Sequence, residues 1–292
     1  MMIDKKLEIP LTSTWLNDRD RFDIEARSTS VLRSFLKTIS SKKQLIIADL
    51  GCGTGSNALF LSDKITGDIK WYLVEKEISL LSYAIKRFKE KYPNFVKVSN
   101  SEYKVTVNDS QLSFLFINNS IESFLNKEIE LGAITSSALF DLFTENEFET
   151  LFQNLMIRKI PLYGVLNYRG VSLDPSSMLD NKFFNLFESH MSRELSKGTP
   201  MGKRTMDLIN AIVTRHSKAK ILVDNSDWNI PSYNKSFILD NFSFYKAAIL
   251  DQLDSGSETV GFMKWLNYRY DQIQKELLSL TVYHNDFIID FN

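Results

Sequence analysis

The most informative part of the chain is a glycine-rich segment that follows a short apolar run. It reads Asp49-Leu50-Gly51-Cys52-Gly53-Thr54-Gly55-Ser56-Asn57, and Leu45-Ile46-Ile47-Ala48 precedes it. The apolar run predicts a buried strand, and the pattern at 56–65 predicts a helix. Three alternating glycines cost conformational entropy unless the backbone must bend sharply or approach a ligand closely. The sequence therefore predicts a strand, a ligand-binding turn at Gly51, Gly53 and Gly55, and a helix.

Two phosphate-binding motifs match this turn poorly. A P-loop ends in Gly-Lys-Ser/Thr, whereas this segment ends in Gly55-Ser56-Asn57. A dinucleotide-binding loop places Gly or Ala at the position of Ser56, and serine departs little from that pattern. Asp49 is more decisive, because a carboxylate at the mouth of the loop repels a pyrophosphate but suits a ligand with an ammonium and a sulfonium. An NAD-dependent oxidoreductase is therefore a disfavoured alternative.

The rest of the chain alternates strand and helix patterns. A second strand is predicted at 69–74, closed by Glu75, and a hairpin at 103–116 turns at Asn108-Asp109-Ser110. Further strands are predicted within 131–142, 162–166, 221–223 and 280–291, and helices at 16–39, 80–88, 145–155, 178–196, 203–214, 234–253 and 259–278. Strands that alternate with helices indicate parallel crossovers and an α/β sheet. With no repeat and no Gly/Ser-rich linker, one domain with insertions is favoured over two domains.

The segment from Asp49 to Gly55 resembles the first motif of class I S-adenosylmethionine-dependent methyltransferases, and it follows a strand as that motif does. The resemblance implies a Rossmann-like, doubly wound, mostly parallel seven-stranded sheet with an antiparallel terminal strand and helical insertions. It implies S-adenosylmethionine as the cofactor and Glu75 as the acceptor of hydrogen bonds from its ribose hydroxyls. Glu75 is also expected near the loop on geometric grounds, because the ends of neighbouring strands flank one crevice in such a sheet.

The resemblance extends these assignments to other residues. The polar residue that contacts adenine in the family corresponds to Asn118 or Asn119, and we assign Asn119, although aspartate is commoner there. The remaining cofactor-binding assignments are Cys52 and Asn57 in the loop, Ser136 in the fourth-strand region, and Arg27.

A helix near the N-terminus carries charged residues on one face. Arg19, Asp23 and Arg27 are spaced four apart, which places them together on a helix. This face is either a solvated ladder of ion pairs or part of a helix that closes over the cofactor, with Arg27 or Arg19 at the methionine carboxylate. The candidate general base is His190, since an unperturbed histidine titrates near neutral pH. The alternative for His190 is an ordinary core or surface histidine.

The resemblance also divides the chain. The segment from Trp15 to Ser28, the region around His190, Trp228 and the residues at 282–286 resemble landmarks of a bacterial subgroup of these enzymes. We predict an N-terminal helical cap at 1–44 and a cofactor-binding α/β core at 45–170. Residues 171–292 are predicted to supply a helical lid and substrate region together with the terminal strands of the same domain.

Composition limits the partners. The 292 residues carry 35 Lys and Arg against 36 Asp and Glu, a net charge of −1, so no global field attracts nucleic acid. A single cysteine excludes an internal disulfide, and no apolar run is long enough to span a bilayer. No histidine or cysteine spacing indicates a metal site. We therefore expect a cytoplasmic protein without a membrane partner. The sequence does not specify the oligomeric state.

The predicted function is methyl transfer from S-adenosylmethionine to an oxygen, nitrogen or carbon nucleophile of a small molecule. Two alternatives stay open. One is a module that binds the cofactor without transferring a methyl group. The other is an RNA methyltransferase, because residues 193–220 carry seven basic and two acidic side chains.

Overall fold

A single mixed sheet organises the chain in the computed structural model, which describes residues 13–40, 45–254 and 256–291. Its strands are β1 (Leu45–Leu50), β2 (Ile69–Glu75), β3 (Val96–Lys97), β4 (Glu102–Val107), β5 (Ser110–Asn118), β6 (Ala133–Ser137), β7 (Leu162–Asp174), β8 (Ala219–Asn225), β9 (Trp228–Ile230) and β10 (Ser279–Phe291). The central strands β5, β2, β1, β6 and β7 pair in parallel. Their apolar runs suit this arrangement, because parallel strands are buried on both faces.

The strand order is β3-β4-β5-β2-β1-β6-β7-β10-β8, and β9 also pairs with β10. The α/β, mostly parallel fold class is confirmed, and so is the antiparallel terminal strand, which lies between β7 and β8. The predicted count of seven strands is wrong, since the described residues form ten. The hairpin adds β4, turning at Asn108 and Asp109, where φ is +48° and +64°. β3 and β9 are two and three residues long, too short to show a periodicity.

Helices cover both faces of the sheet. They are α1 (Ser13–Ala26), α2 (Thr29–Ile39), α3 (Ser56–Ser62), α4 (Ile78–Lys91), α5 (Ile121–Leu125), α6 (Glu145–Arg158), α7 (Met178–Met191), α8 (Thr205–Thr214), α9 (Lys235–Asp251) and α10 (Ser257–Gln274). One core contains Phe35 of α2 and Phe88 of α4. A second core contains Phe148 of α6 and Ile209 of α8. Two separate cores on one sheet are the packing of a doubly wound domain.

The predicted helix at 16–39 is interrupted, and α1 and α2 are separate helices. Ser28 lies between them, and its hydroxyl caps α2 by accepting from Val31 N at 3.2 Å. The Ser28 backbone N–H donates to Asp286 of β10 at 2.9 Å. Asp286 is fully buried and also accepts from Leu166 N, where φ is +56° and the strand β7 is irregular. A distant carboxylate therefore fixes the break, which the local spacing does not reveal.

The N-terminal segment packs against the C-terminal part of the chain. Asp23 of α1 accepts a hydrogen bond from Trp228 Nε1 of β9 at 3.1 Å, and Phe22 stacks on Phe237 of α9 at 4.9 Å. Residues 1–12 and 41–44 of the predicted cap lie outside the described residues. Across the described parts of the chain, no helix is both long and apolar enough to cross a bilayer.

Candidate binding site at the glycine loop

The glycine loop leaves β1 and enters α3 through three residues with left-handed backbone. Gly51, Gly53 and Gly55 have φ of +61°, +53° and +80°. A Cβ at Gly51 would lie 2.9 Å from Leu139 Cδ1, and one at Gly55 would lie 2.5 Å from Phe88 Cε2, so both glycines permit close packing. A Cβ at Gly53 would meet no atom within 4 Å. Gly53 is therefore where the backbone turns toward open space and can be approached by a ligand.

Asp49 lies near the end of β1 and is almost completely buried. Its Oδ1 accepts from Asn57 Nδ2 and from Thr135 Oγ1, each at 2.7 Å. Its Oδ2 is buried and has no hydrogen-bond partner. Burial raises the pKa of Asp49 to about 6, although the two hydrogen bonds and Arg27 act in the opposite direction. One carboxylate oxygen is thus hydrogen-bonded within the protein, and the other can interact with a cation or a hydrogen-bond donor of a ligand.

Glu75 ends β2 and reaches the same loop. Its Oε2 accepts from the Gly53 backbone N–H at 3.2 Å, and its Oε1 accepts from Glu77 N at 3.0 Å. The structure therefore brings Glu75 and the loop together, as the strand order predicts. Two backbone donors hold the carboxylate at the carboxyl edge of the sheet, where it can accept hydrogen bonds from hydroxyl groups.

Asn57 and Arg27 link Asp49 to the end of α1 through hydrogen bonds. Arg27 donates through Nη1 to Asn57 Oδ1 at 2.7 Å, and its guanidinium lies 4.4 Å from the centre of the Phe60 ring. Asn57 in turn donates to Asp49, so a single chain of hydrogen bonds runs from the end of α1 to the loop. Arg27 is buried, and its Nε has no partner.

A second contact, which no pattern in the sequence indicates, joins α1 to the loop. Asp20 accepts from Ser56 Oγ at 2.6 Å and forms an ion pair with Arg87 of α4. Arg87 also donates to Thr54 Oγ1 and Ser56 Oγ, each at 2.7 Å. Asp20, Thr54, Ser56 and Arg87 form a clamp that ties the start of α3 to α1 and α4. Asp20 and Arg87 lie 31 to 67 residues from each other and from the loop residues they contact, so local patterns carry no signal for these contacts.

Comparisons with known proteins identify remote structural similarity. No protein-family model matches the chain, and no curated protein matches its sequence. The plantazolicin methyltransferase BpumL in complex with SAH is 13% identical with a TM-score of 0.45, covering 96% of this chain and 88% of that one. The cyclopropane synthase MmaA2 from Mycobacterium tuberculosis is 10% identical with a TM-score of 0.46, covering 96% and 94%. The magnesium protoporphyrin IX methyltransferase ChlM from Synechocystis PCC 6803, with bound SAM, is 10% identical with a TM-score of 0.41, covering 74% and 78%.

The other residues assigned to the cofactor have different surroundings. The Ser136 hydroxyl donates to Leu50 O at 2.9 Å and is fully buried between β6 and β1. Cys52 N donates to Val74 O at 3.0 Å, and burial raises the pKa of its thiol, so Cys52 belongs to the frame of the loop. Asn119 N donates to Glu75 O at 3.1 Å, whereas the Asn118 side chain donates to Lys76 O at 2.8 Å. Both asparagines thus lie beside the end of β2.

The charged face of α1 is partly buried. Arg19 Nε donates to Asp23 Oδ2 at 3.3 Å, and Asp23 is only 4% exposed. The guanidinium of Arg19 lies 5.9 Å from the centre of the Trp228 ring. This is a packed interface with β9 and not a solvated ladder of ion pairs.

His190 lies on α7, near its C-terminal end. Its Nδ1 is 3.2 Å from Asp251 Oδ2 of α9. Burial lowers the pKa of His190, with Arg193 acting in the same direction and Asp251 against it. Asp251 ends α9 and Arg193 follows α7, so His190 lies where these two helices meet. Its role as a general base stays a prediction.

Proposed function

We propose that this chain is an S-adenosylmethionine-dependent methyltransferase with a small-molecule acceptor. The observation that carries the proposal is Asp49, a buried carboxylate beside a glycine turn with one oxygen left unpartnered. An ammonium group of a ligand would satisfy that oxygen. A phosphate would be repelled by it, which disfavours NAD and nucleoside triphosphates.

The residues present fit the proposed cofactor. Asp49 would hold the ammonium, and Glu75 would accept from the ribose hydroxyls. Gly53 leaves room for a close approach, because no side chain lies within 4 Å of the position of its missing Cβ. Asn57 and Arg27 would keep Asp49 in place.

When bound, S-adenosylmethionine supplies an electrophilic methyl group on a sulfonium. The chain's own contribution is to position the reactants and exclude water, which is how two reacting groups gain a high effective concentration. The clamp of Asp20, Arg87, Thr54 and Ser56 holds α1 against the loop. Cys52 is no covalent nucleophile, because burial and the charges of Asp49 and Glu75 raise the pKa of its thiol and keep it protonated.

A small molecule is favoured over nucleic acid as the acceptor. Within the basic stretch at 193–220, Lys197 pairs with Glu147 at 3.1 Å, and Lys203 pairs with Glu188. These pairs reduce the positive field that binding to a phosphate backbone would require.

The direct test is thermal unfolding in the presence of ligands. S-adenosylhomocysteine at a hundredfold excess over its Kd is expected to stabilise the fold by about 2.7 kcal/mol, a rise of several degrees in Tm. NAD at the same concentration is expected to leave the Tm unchanged. A rise with NAD and none with S-adenosylhomocysteine would refute the proposal.

Cofactor affinity is expected to fall in acid. Asp49 must be ionised to pair with an ammonium, and burial raises its pKa to about 6 in the free protein. The affinity for S-adenosylhomocysteine should be constant near neutral pH and should fall by up to about tenfold per pH unit well below 6. Isothermal titration calorimetry between neutral pH and pH 5 measures this. An affinity that stays flat over that range would contradict the assignment of Asp49.

A further inference from the structure

A second carboxylate with an unpartnered oxygen follows β6, the strand that pairs with β1. The chain turns after β6, where Ala138 has φ of +50° and donates its N–H to Val165 O of β7 at 2.9 Å. Leu139 packs on Gly51, close enough that a Cβ there would lie 2.9 Å from Leu139 Cδ1. Asp141 follows two residues later, in a short 3₁₀ turn at Phe140–Leu142 just beyond the carboxyl end of β6.

The Asp141 side chain is 8% exposed, and its Oδ1 is buried without a hydrogen-bond partner. The neighbouring strand supplies a second such atom, the hydroxyl of Tyr168, which is also buried and unpartnered. Asp141 and Tyr168 each lie three or four residues beyond the Ser137–Val165 pair, where β6 and β7 last align. Leaving a buried polar atom unpaired costs about 1–3 kcal/mol, so two at one edge of the sheet need an explanation.

We propose that Asp141 and Tyr168 receive the reacting heteroatom of the methyl acceptor, and that this acceptor is an amine or a hydroxyl compound and not a carbon nucleophile. This inference rests on the proposed function. An N–H or O–H group would satisfy the Asp141 carboxylate, and the Tyr168 hydroxyl can accept a second hydrogen or donate to the acceptor's other polar atoms. A C–H nucleophile would leave both atoms unsatisfied.

Methyl transfer to such an acceptor releases one proton, which Asp141 can accept. The electron pair of the acceptor nitrogen or oxygen forms the bond to the methyl carbon, and the methyl–sulfur pair stays on sulfur. The proton of the acceptor passes to the Asp141 carboxylate. Burial raises the pKa of Asp141 to about 6, with its own backbone N–H and the charge of Arg19 acting in the opposite direction, which makes this carboxylate a stronger base than an exposed aspartate.

The surroundings of Tyr168 add an apolar wall. Its ring is perpendicular to that of Phe187, with the ring centres 5.9 Å apart, and the ring centres of Phe187 and Tyr245 are 4.9 Å apart. Phe187 and Tyr245 are themselves buried, so an acceptor with an apolar or aromatic body would pack on the half-buried ring of Tyr168 while its heteroatom faces Asp141. Benzylamine, benzyl alcohol and toluene are therefore suitable probes, since they share a ring and differ in the polar group.

The test is calorimetric binding of each probe to the complex with S-adenosylhomocysteine. In the natural sequence, benzylamine or benzyl alcohol should bind at least about tenfold tighter than toluene, the value of a hydrogen bond to a buried carboxylate. Asp141→Leu should abolish that preference, and Tyr168→Phe should reduce it. Glu145→Gln, which alters an exposed acid on α6, should leave it unchanged. Comparing the amine with the alcohol distinguishes the two kinds of acceptor.

The affinity for S-adenosylhomocysteine, measured on the same samples, separates the possible failures. If the natural sequence does not bind S-adenosylhomocysteine, the proposed function fails and this inference fails with it. The inference alone is overturned if all variants bind S-adenosylhomocysteine and toluene binds as well as the polar probes. It is also overturned if Asp141→Leu retains the preference, or if the complex binds none of the three probes.

Discussion

Asp49→Asn is expected to weaken the binding of S-adenosylhomocysteine by about 100-fold or more, since removing one charge of a buried ion pair costs about 3–5 kcal/mol. The substitution keeps the shape of the side chain and an oxygen that can accept from Asn57 and Thr135. It turns an NH₂ group toward the position of the ligand ammonium, so an attraction becomes a repulsion. Isothermal titration calorimetry at neutral pH measures the loss.

The matched control is Asp109→Asn, at the exposed tip of the hairpin between β4 and β5. Asp109 has φ of +64°, a conformation that asparagine adopts readily, so the fold should be unaffected. This variant should bind S-adenosylhomocysteine as the natural sequence does. If Asp49→Asn bound with the affinity of the control, the ammonium would be held elsewhere and the assignment of the site would be wrong.

The conformation of the glycine loop was predictable because local sequence determines it. The apolar run predicts a buried strand, and the glycines at 51, 53 and 55 permit the positive φ angles with which the backbone turns after it. Glu75 was predictable for a similar reason, because parallel strands end at one edge of the sheet. The hairpin at Asn108 and Asp109 followed from residues that tolerate positive φ.

Other features depend on contacts between distant residues. Thr135 meets Asp49 because β6 pairs with β1 in a register that aligns these two residues, and no local pattern specifies that register. Asp20 meets Arg87 across 67 residues. The choice of His190 as a general base used the ordinary pKa of a histidine. In the fold, burial on α7 lowers that pKa, and the sequence pattern does not show this burial. Secondary structure was therefore predictable in large part, whereas the packing of α1 on the loop was not.

Another long-range contact joins α7 to α10 through a buried carboxylate. Asp180 of α7 accepts from Arg269 Nη2 at 2.6 Å and from Trp265 Nε1 at 2.8 Å, both residues of α10. Its second oxygen accepts from Ser177 N at 2.7 Å and so completes the cap of α7. Arg269 is 1% exposed, so water cannot solvate its guanidinium, and the carboxylate of Asp180 supplies the counter-charge.

Asp180→Ala is expected to lower the free energy of unfolding by about 3–5 kcal/mol, because it leaves a buried guanidinium without a counter-charge. That loss is a large fraction of the about 5–15 kcal/mol typical of a folded domain. Chemical denaturation in urea measures it. Glu90→Ala is the matched control, since it removes an ion pair with Lys86 whose two side chains are 69% and 64% exposed. That change should cost less than about 0.5 kcal/mol.

The double variant Asp180→Ala with Arg269→Met tests the cause of the loss. If the unpaired charge is responsible, removing the guanidinium should restore part of the stability, because an apolar side chain of similar size can replace a buried ion. If the double variant is less stable than Asp180→Ala, the loss comes from the cap of α7 and from Trp265 instead. A cost for Asp180→Ala no greater than that for Glu90→Ala would show that α7 and α10 are held together by their aromatic contacts, such as Phe183 with Trp265 at 5.0 Å.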